Sequence, residues 1–167
     1  RIPWLLLLMV SATFTGQIIA KFEDALGACA ILTAYIPMLM DTGGNCGSQA
    51  SATIIRGISL NEIEFRDLGR VVWKEIRVAV VVGIILASLN IIRLMVQYPG
   101  ETMVCITVVV SLVVTIILAK TIGCTLPILA QILHLDPAIM AAPLITTIVD
   151  TCSIIIYFAI ATHLFAL

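Results

Sequence analysis

A glycine-rich stretch in the first third of the chain decides the fold, and it reads PMLMDTGGNCGSQASAT over residues 37–53. Its flanks are apolar enough for a lipid bilayer, yet its centre holds an aspartate, an asparagine and three glycines. In hydrocarbon every backbone polar group needs a protein partner or a wet cavity, and glycine weakens a helix by about 1 kcal/mol relative to alanine. The stretch therefore predicts either a broken or kinked membrane helix beside a cavity, or a close helix–helix contact made by small residues.

The composition of the whole chain places it in a membrane. Hydrophobic residues make up 61% of the 167 residues and charged residues 11%, and the mean hydropathy is +1.17. A soluble domain of this size has too little interior for that much apolar surface. The partner that this composition predicts is membrane lipid, and no basic patch suggests nucleic acid. The five cysteines lie mostly in apolar runs without metal-ligand spacing, so we expect them to be packing residues.

Apolar runs of about 20 residues, the length that crosses a bilayer, predict an all-α fold with five membrane-spanning helices. The expected spans are residues 2–20, 25–58, 76–96, 102–123 and 137–164. Residues 59–62 resemble a capping box, which would begin an amphipathic helix over 60–77 on a membrane face. Asp136 followed by Pro137 is a typical helix start, with the acid as N-cap and the proline in the first turn.

The distribution of Lys and Arg predicts the orientation of these spans. With the N-terminus in the cytoplasm, Lys21 and Arg93 lie outside and seven basic residues lie inside. The seven are Arg1, Arg56, Arg66, Arg70, Lys74, Arg77 and Lys120. We therefore expect a cytoplasmic N-terminus, an external C-terminus and a multi-pass protein of the plasma membrane or cell inner membrane.

Two of the ten acids, Asp41 and Asp150, lie inside predicted spans rather than near their ends. A charge at the bilayer centre costs at least about 2.5 kcal/mol even on lenient insertion scales. Asp150 has no Lys or Arg nearby in its own span, whereas Thr146 and Thr147 place hydroxyls on or near its face. This pattern favours a cation or proton pathway, and the alternative is a neutral aspartic acid hydrogen-bonded inside the bundle.

Other polar residues have both a structural and a functional interpretation. Asp41 either faces the same cavity as Asp150 or accepts hydrogen bonds from backbone near the glycines. Asp136 is either a helix cap or a weak cation site near the membrane surface. Oxygen atoms, the ligands that hard cations require, are offered by Asn45, Ser48 and Gln49.

The sequence predicts no enzyme. No Ser-His-Asp order, Walker loop, HExxH motif or dinucleotide fingerprint appears. An intramembrane aspartyl protease needs two acids in different spans, which Asp41 and Asp150 supply. The glycine-containing sequence that such proteases place around the second acid is missing at Asp150, so this alternative is remote.

Two passages together resemble the MgtE family of magnesium channels and transporters. Residues 37–56 contain the core GGNxGxQ, and residues 136–158 contain PLxTTxVD, which includes Asp150. The passages follow the family's order, and the similarity covers essentially the whole chain. The resemblance implies a single MgtE-like transmembrane domain over residues 1–167, without the N-terminal and CBS regulatory domains that family members commonly carry before the first span.

The resemblance further implies a homodimer with the ion path at the subunit interface, lined mainly by the second and fifth spans. By similarity, Asp150 of each subunit is the selectivity acid that binds hydrated Mg²⁺, and the backbone around Thr146 lies beside the ion. Asp136 would sit at the cytoplasmic mouth, where the family has a further metal-binding acid. The residues expected to line the pore are Asp41, Gly44, Asn45, Gly47 and Ser48.

We therefore expect a dimeric channel or transporter that moves Mg²⁺, and other divalent cations, without catalytic turnover. Mg²⁺ is both the transported ion and the ligand of the site. It holds its waters tightly and prefers octahedral oxygen geometry, so two carboxylates in a wide site would bind the hydrated ion through its waters. The alternative is a carrier coupled to Na⁺ or H⁺, with Asp150 as its exchanging carboxylate.

Overall fold

The computed structural model describes residues 2–22, 30–136 and 142–165. These residues form an all-α fold, as the sequence predicts, with five long helices and one short helix. In chain order the helices are α1 (Ile2–Lys21), α2 (Ala30–Ala34), α3 (Ile36–Ser59), α4 (Leu68–Gln97), α5 (Thr102–Ile132) and α6 (Ala142–Phe165). A 3₁₀ turn at Phe65–Asp67 precedes α4. Helices α4 and α5, and α6 from Pro143 onward, are long and apolar enough to cross a membrane.

Helix α5 is the central element, because it packs against α3, α4 and α6. Val104, Val108 and Ile116 on α5 are fully buried and join the main hydrophobic core. Helix α3 packs in turn on α6. Helix α1 also packs on α6, and the three helices line a common cavity. Helices in a membrane associate through close packing rather than through a hydrophobic driving force, so the small residues on these faces determine how near the helices come.

The glycine-rich stretch forms a continuous helix. Helical structure in α3 runs through Gly43, Gly44 and Gly47 without interruption, so the break predicted at this centre is not found. The chain does break at Tyr35, between α2 and α3. Pro37, in the first turn of α3, explains this position, because proline lacks an N–H and its ring clashes with the carbonyl four residues earlier.

A buried tyrosine stabilises the break between α2 and α3. The hydroxyl of Tyr157 on α6 donates a hydrogen bond of 2.8 Å to the carbonyl oxygen of Leu32. The N–H of Tyr35 donates to the same carbonyl at 3.2 Å. Because the interior of a membrane offers no water to free carbonyls, these two donors satisfy a group that the interrupted helix exposes.

The predicted capping box at Ser59 is wrong. Helix α3 continues to Ser59, and the Ser59 hydroxyl donates a hydrogen bond of 2.9 Å back to the carbonyl of Ile55. The next long helix begins only at Leu68 and continues to Gln97. The predicted amphipathic segment and the third span are therefore largely one helix, α4.

The predicted end of the fourth span, residue 123, is also wrong. Helix α5 continues through Pro127 to Ile132. A proline inside a helix removes one hydrogen bond, but the surrounding helices bury Pro127 and hold the segment helical. The predicted helix start at Pro137 lies outside the described residues.

A candidate ion site around Asp150

Asp150 lies on α6 where α3 comes close to it. A Cβ atom added to Gly44 would lie 3.4 Å from Oδ1 of Asp150 and 3.1 Å from Cγ2 of Thr146. The missing side chain of Gly44 thus makes room mainly for Thr146, and the Asp150 carboxylate lies beside it at van der Waals distance from where a Cβ would be. Three residues that the sequence predicts for the site are therefore neighbours in the structure.

Asp150 also lines a cavity of about 280 Å³ between α1, α3 and α6. Thr15 and Thr147 line the same cavity, and its remaining lining is apolar or small, with Met40 contributed by α3. A water molecule occupies about 30 Å³, so the cavity has room for several waters beside the carboxylate. The hydroxyl of Thr147 is therefore on the face that its spacing from Asp150 predicts.

Asp150 has a like charge rather than a counter-charge beside it. Within the described residues the salt bridge found joins Lys120 to Glu75, and none involves Asp150. The carboxyl group of Asp41 is near enough to interact electrostatically with that of Asp150, and it accepts a hydrogen bond of 3.1 Å from Nδ2 of Asn45. Two acids close together favour the binding of a cation or a proton, because their like charges repel each other.

One face of α3 is polar and exposed. Asp41, Asn45, Gln49 and Thr53 follow one another at helical spacing and are all exposed, whereas the glycine face is buried. Helix α3 packs along α5 and α6, which are apolar enough to span a membrane. A polar face beside such helices requires water or another protein surface, since lipid would leave its side chains unsatisfied.

The remaining predicted site residues differ in their surroundings. Gly47 is enclosed, and a Cβ there would lie 2.9 Å from Ile145 and 3.2 Å from the carbonyl oxygen of Ala119. Ser48 is half-buried, and its hydroxyl makes no hydrogen bond within the part of the chain that the structure describes. Asp136 is exposed beyond the end of α5 and does not line the cavity at Asp150. Gly47 thus fits the close-packing interpretation, and its part in a pore wall stays a prediction.

The acids in the described part of the chain do not form a compact site for a dehydrated metal ion. Over residues 2–22, 30–136 and 142–165 no group of three or more His, Cys, Asp and Glu side chains comes together. Asp41, Asp150 and the neighbouring hydroxyls instead form an open arrangement beside a cavity. Such an arrangement suits an ion that keeps its water shell, because the water molecules rather than side chains complete the coordination.

The contribution of α1 to this site is not apparent from the sequence. The Thr15 hydroxyl lies 3.0 Å from the Thr151 hydroxyl on α6, and Thr15 is only 7% exposed. Thr151 directly follows Asp150, so this hydrogen bond holds α1 against the cavity. The sequence does show a threonine in an apolar span at residue 15, but it does not show which helix that threonine faces.

The family model for MgtE, a divalent cation transporter, matches residues 36–160. The chain belongs to this family. The match begins at the first residue of α3 and extends into α6, so it contains both Gly44 and Asp150. Together with the three helices that, among the described residues, are apolar enough to cross a bilayer, this membership identifies a membrane protein.

Curated relatives carry the same family name. The magnesium transporter MgtE of Bacillus subtilis is 37% identical over 162 residues, which are 97% of this chain and 36% of the relative. The magnesium transporter MgtE of Thermus thermophilus is 35% identical over 161 residues, 96% of this chain and 35% of the relative. That of Enterococcus faecalis is 28% identical over 162 residues, 97% of this chain and 36% of the relative. This MgtE-family chain thus spans little more than a third of the length of each relative.

Proposed function

We propose that this chain moves Mg²⁺ and other divalent cations across a membrane along a pathway lined by α3 and α6. The observation that carries the proposal is the exposed polar face of α3 next to Asp150, an acid without a salt-bridge partner among the described residues. The relatives are named as magnesium transporters, which supports Mg²⁺ as the cargo and transport without catalytic turnover.

The polar face of α3 requires contact with water or with another protein surface, and we propose that a second copy of the chain packs there. In such a homodimer the two α3 and α6 helices enclose the ion path, and each subunit contributes one Asp150. Two carboxylates balance the double charge of Mg²⁺, and a nearby Mg²⁺ favours their ionised form. The single chain supports this arrangement because its glycine face is already packed while its polar face is open.

All five long helices cross the membrane in this proposal, with the N-terminus in the cytoplasm. Basic residues cluster around the junction of α3 and α4, which the positive-inside rule places on the cytoplasmic side; they are Arg56, Arg66, Arg70, Lys74 and Arg77. Lys120 lies inside the helix bundle, where it pairs with Glu75, and not in a loop between helices. The orientation does not depend on it, because the remaining inside residues still outnumber Lys21 and Arg93.

Each residue of the site then has a role in the binding or passage of hydrated Mg²⁺. Asp150 attracts the ion and accepts hydrogen bonds from its waters, and Gly44 keeps α3 out of the carboxylate's space. Asp41 and Asn45 extend the polar path along α3, with the backbone near Thr146 beside the ion. Ser48 offers a hydroxyl along the same helix, and Asp136 provides a metal-binding acid at the cytoplasmic mouth.

Flux measurements on protein reconstituted in liposomes test this function. Asp150→Asn and Asp150→Ala should lower Mg²⁺ entry by about tenfold or more, because a hydrogen bond to a charged group contributes about 1.5–3 kcal/mol. Glu101→Gln is the matched control, since Glu101 is an exposed acid ahead of α5. Parent rates in both Asp150 variants would contradict the proposal. Uphill Mg²⁺ accumulation driven by an imposed H⁺ or Na⁺ gradient would identify the coupled carrier instead of the channel.

A further inference from the structure

A larger cavity, of about 530 Å³, lies at the junction of α3 and α4 and shares no residue with the cavity at Asp150. Its basic residues are Arg56, Arg70 and Lys74, and its acids are Glu62 and Asp67. A cavity of this volume is large enough for a small polar molecule. The pocket therefore has more basic than acidic side chains.

The cations of this pocket are available for a ligand. In the part of the chain that the structure describes, none of Arg56, Arg70 and Lys74 forms a salt bridge. Asp67 already accepts a hydrogen bond of 3.0 Å from the backbone N–H of Glu64 through Oδ2. Since like charges that line one cavity repel each other, an anionic ligand would stabilise this arrangement. Arginine donates two parallel hydrogen bonds to phosphate, which makes phosphate the best-matched anionic group.

An apolar groove continues from the basic pocket along α4. It has a volume of about 350 Å³ and is lined by Lys74, Arg77, Val78, Val81 and Val82. Lys74 lines both cavities, so that the basic pocket and the groove meet there. Val78 and Val81 are exposed on a helix apolar enough to span a membrane. Cations at one end and valines at the other follow the order of a phospholipid headgroup and its acyl chain.

We propose that this surface binds an anionic phospholipid with a hydroxyl-bearing headgroup. Arg56, Arg70 and Lys74 hold the phosphate, and one acyl chain lies along Val78 and Val81. Glu62 and Asp67, which would repel a bare phosphate, accept hydrogen bonds from the headgroup hydroxyls. Basic pockets at the membrane surface bind anionic lipid headgroups in this way, and each basic residue contributes about fivefold in affinity. The basic residues of the lipid site are not among the residues assigned to the ion path, although Thr53 lines the pocket and also lies on the polar face of α3.

Thermal unfolding of the purified protein in detergent tests the site. Added phosphatidylglycerol should raise the melting temperature saturably, and phosphatidylcholine with the same acyl chains should not. The double variant Arg70→Gln/Lys74→Gln should weaken the effect of phosphatidylglycerol by roughly 10- to 30-fold. The matched control is Lys21→Gln/Arg66→Gln, which removes the same charge at exposed residues outside both cavities. Equal weakening in the control would show general attraction between the protein and an anionic surface, and would overturn the proposal.

Two further measurements separate the lipid from other sources of phosphate and guard against misfolding. Inorganic phosphate and glycerophosphoglycerol, which lack acyl chains, should not reproduce the shift at the same concentration. A full shift with either compound would mean that the pocket binds a free phosphate group and that the groove is not used. Native mass spectrometry of the parent protein in mixed lipids needs no variant, and retention of both lipids in equal amounts would overturn the proposal even if the double variant did not fold.

Discussion

Gly44 on α3 lies against Asp150 on α6, so closely that a Cβ atom at residue 44 would approach the carboxylate oxygen to 3.4 Å. The same Cβ would meet Cγ2 of Thr146 at 3.1 Å, a distance at which the neighbour must shift. The tight contact is therefore the one with Thr146, whereas a Cβ would meet the Asp150 carboxylate at an ordinary van der Waals distance. This contact gives the glycine-rich stretch a role that the exposed polar face of α3 alone does not explain.

Replacement of Gly44 by valine should lower Mg²⁺ flux by about tenfold or more while the chain still folds. Valine adds two methyl groups beyond the Cβ, and they would displace the Asp150 carboxylate or the Thr146 side chain. Gly69→Val is the control, because a Cβ at Gly69 meets no atom within 4 Å. Liposome flux and chemical crosslinking should be measured together. An inactive but crosslinked dimer is the expected result, whereas loss of the dimer would assign Gly44 to packing alone.

The sequence draws attention to Asp150 and Gly44, which are neighbours in the structure, whereas it misplaces several limits of the helices. Asp150 and Gly44 are recognisable because an acid and a glycine are both costly in a membrane helix, and each must have a local reason. Their contact depends on how α3 and α6 pack, which no local pattern encodes. The resemblance to the MgtE family predicts that both line the ion path, and the structure supplies their distance.

The errors in helix limits at Ser59 and Pro127 have different physical causes. Ser59 carries a capping pattern, but it is the last residue of α3, and its hydroxyl bonds back to Ile55 within that helix. Pro127 is a helix breaker in isolation, yet it is buried inside α5, where packing outweighs one missing hydrogen bond. Tertiary packing therefore overrides the local signal at Pro127, whereas at Ser59 a competing local hydrogen bond does so. At Pro37 the proline explains the break between α2 and α3, although the sequence pattern predicts one span over residues 25–58, with the break at the glycines.

Replacement of Gly123 by alanine should destabilise the protein by about 1–3 kcal/mol or prevent folding. Gly123 on α5 packs against the backbone of Gly47 on α3, and an added Cβ would overlap the Gly47 carbonyl group. A backbone group has little freedom to move away. Gly83→Ala is the matched control, because Gly83 is also buried between helices but its Cβ would meet Val113 at an ordinary 3.4 Å. Thermal unfolding in detergent measures the difference, and equal stability of the two variants would contradict the close crossing.

Replacement of Thr15 by valine should loosen α1 from α6. The change removes the 3.0 Å hydrogen bond to Thr151 but keeps the shape of the side chain. Hydrogen bonds between membrane helices contribute about 0.6 kcal/mol on average, so the expected loss of stability is small. Thr13→Val is the control, since Thr13 is exposed and bonds only within α1, to the carbonyl of Met9. Faster amide hydrogen exchange in α1 of the Thr15 variant is expected, and identical exchange in both variants would contradict this role.

The ion pair between Lys120 on α5 and Glu75 on α4 provides the last prediction. Nζ of Lys120 donates a hydrogen bond of 3.0 Å to Oε2 of Glu75, and the side chains are only 11% and 14% exposed. Removal of one partner leaves a buried charge alone, at a cost of about 3–5 kcal/mol. Lys120→Met and Glu75→Gln should therefore each lower the melting temperature strongly.

The double variant Lys120→Met/Glu75→Leu decides what the pair does. A buried ion pair replaced by apolar residues of similar volume is often neutral or stabilising, so the double variant should recover most of the stability that each single variant loses. Thermal unfolding of the parent, of Lys120→Met, of the single variant Glu75→Leu and of the double variant completes the cycle. Additive losses would show that the two charges do not interact. Recovery of stability without recovery of Mg²⁺ flux would show instead that the charges serve transport, because the helices would then be packed without them.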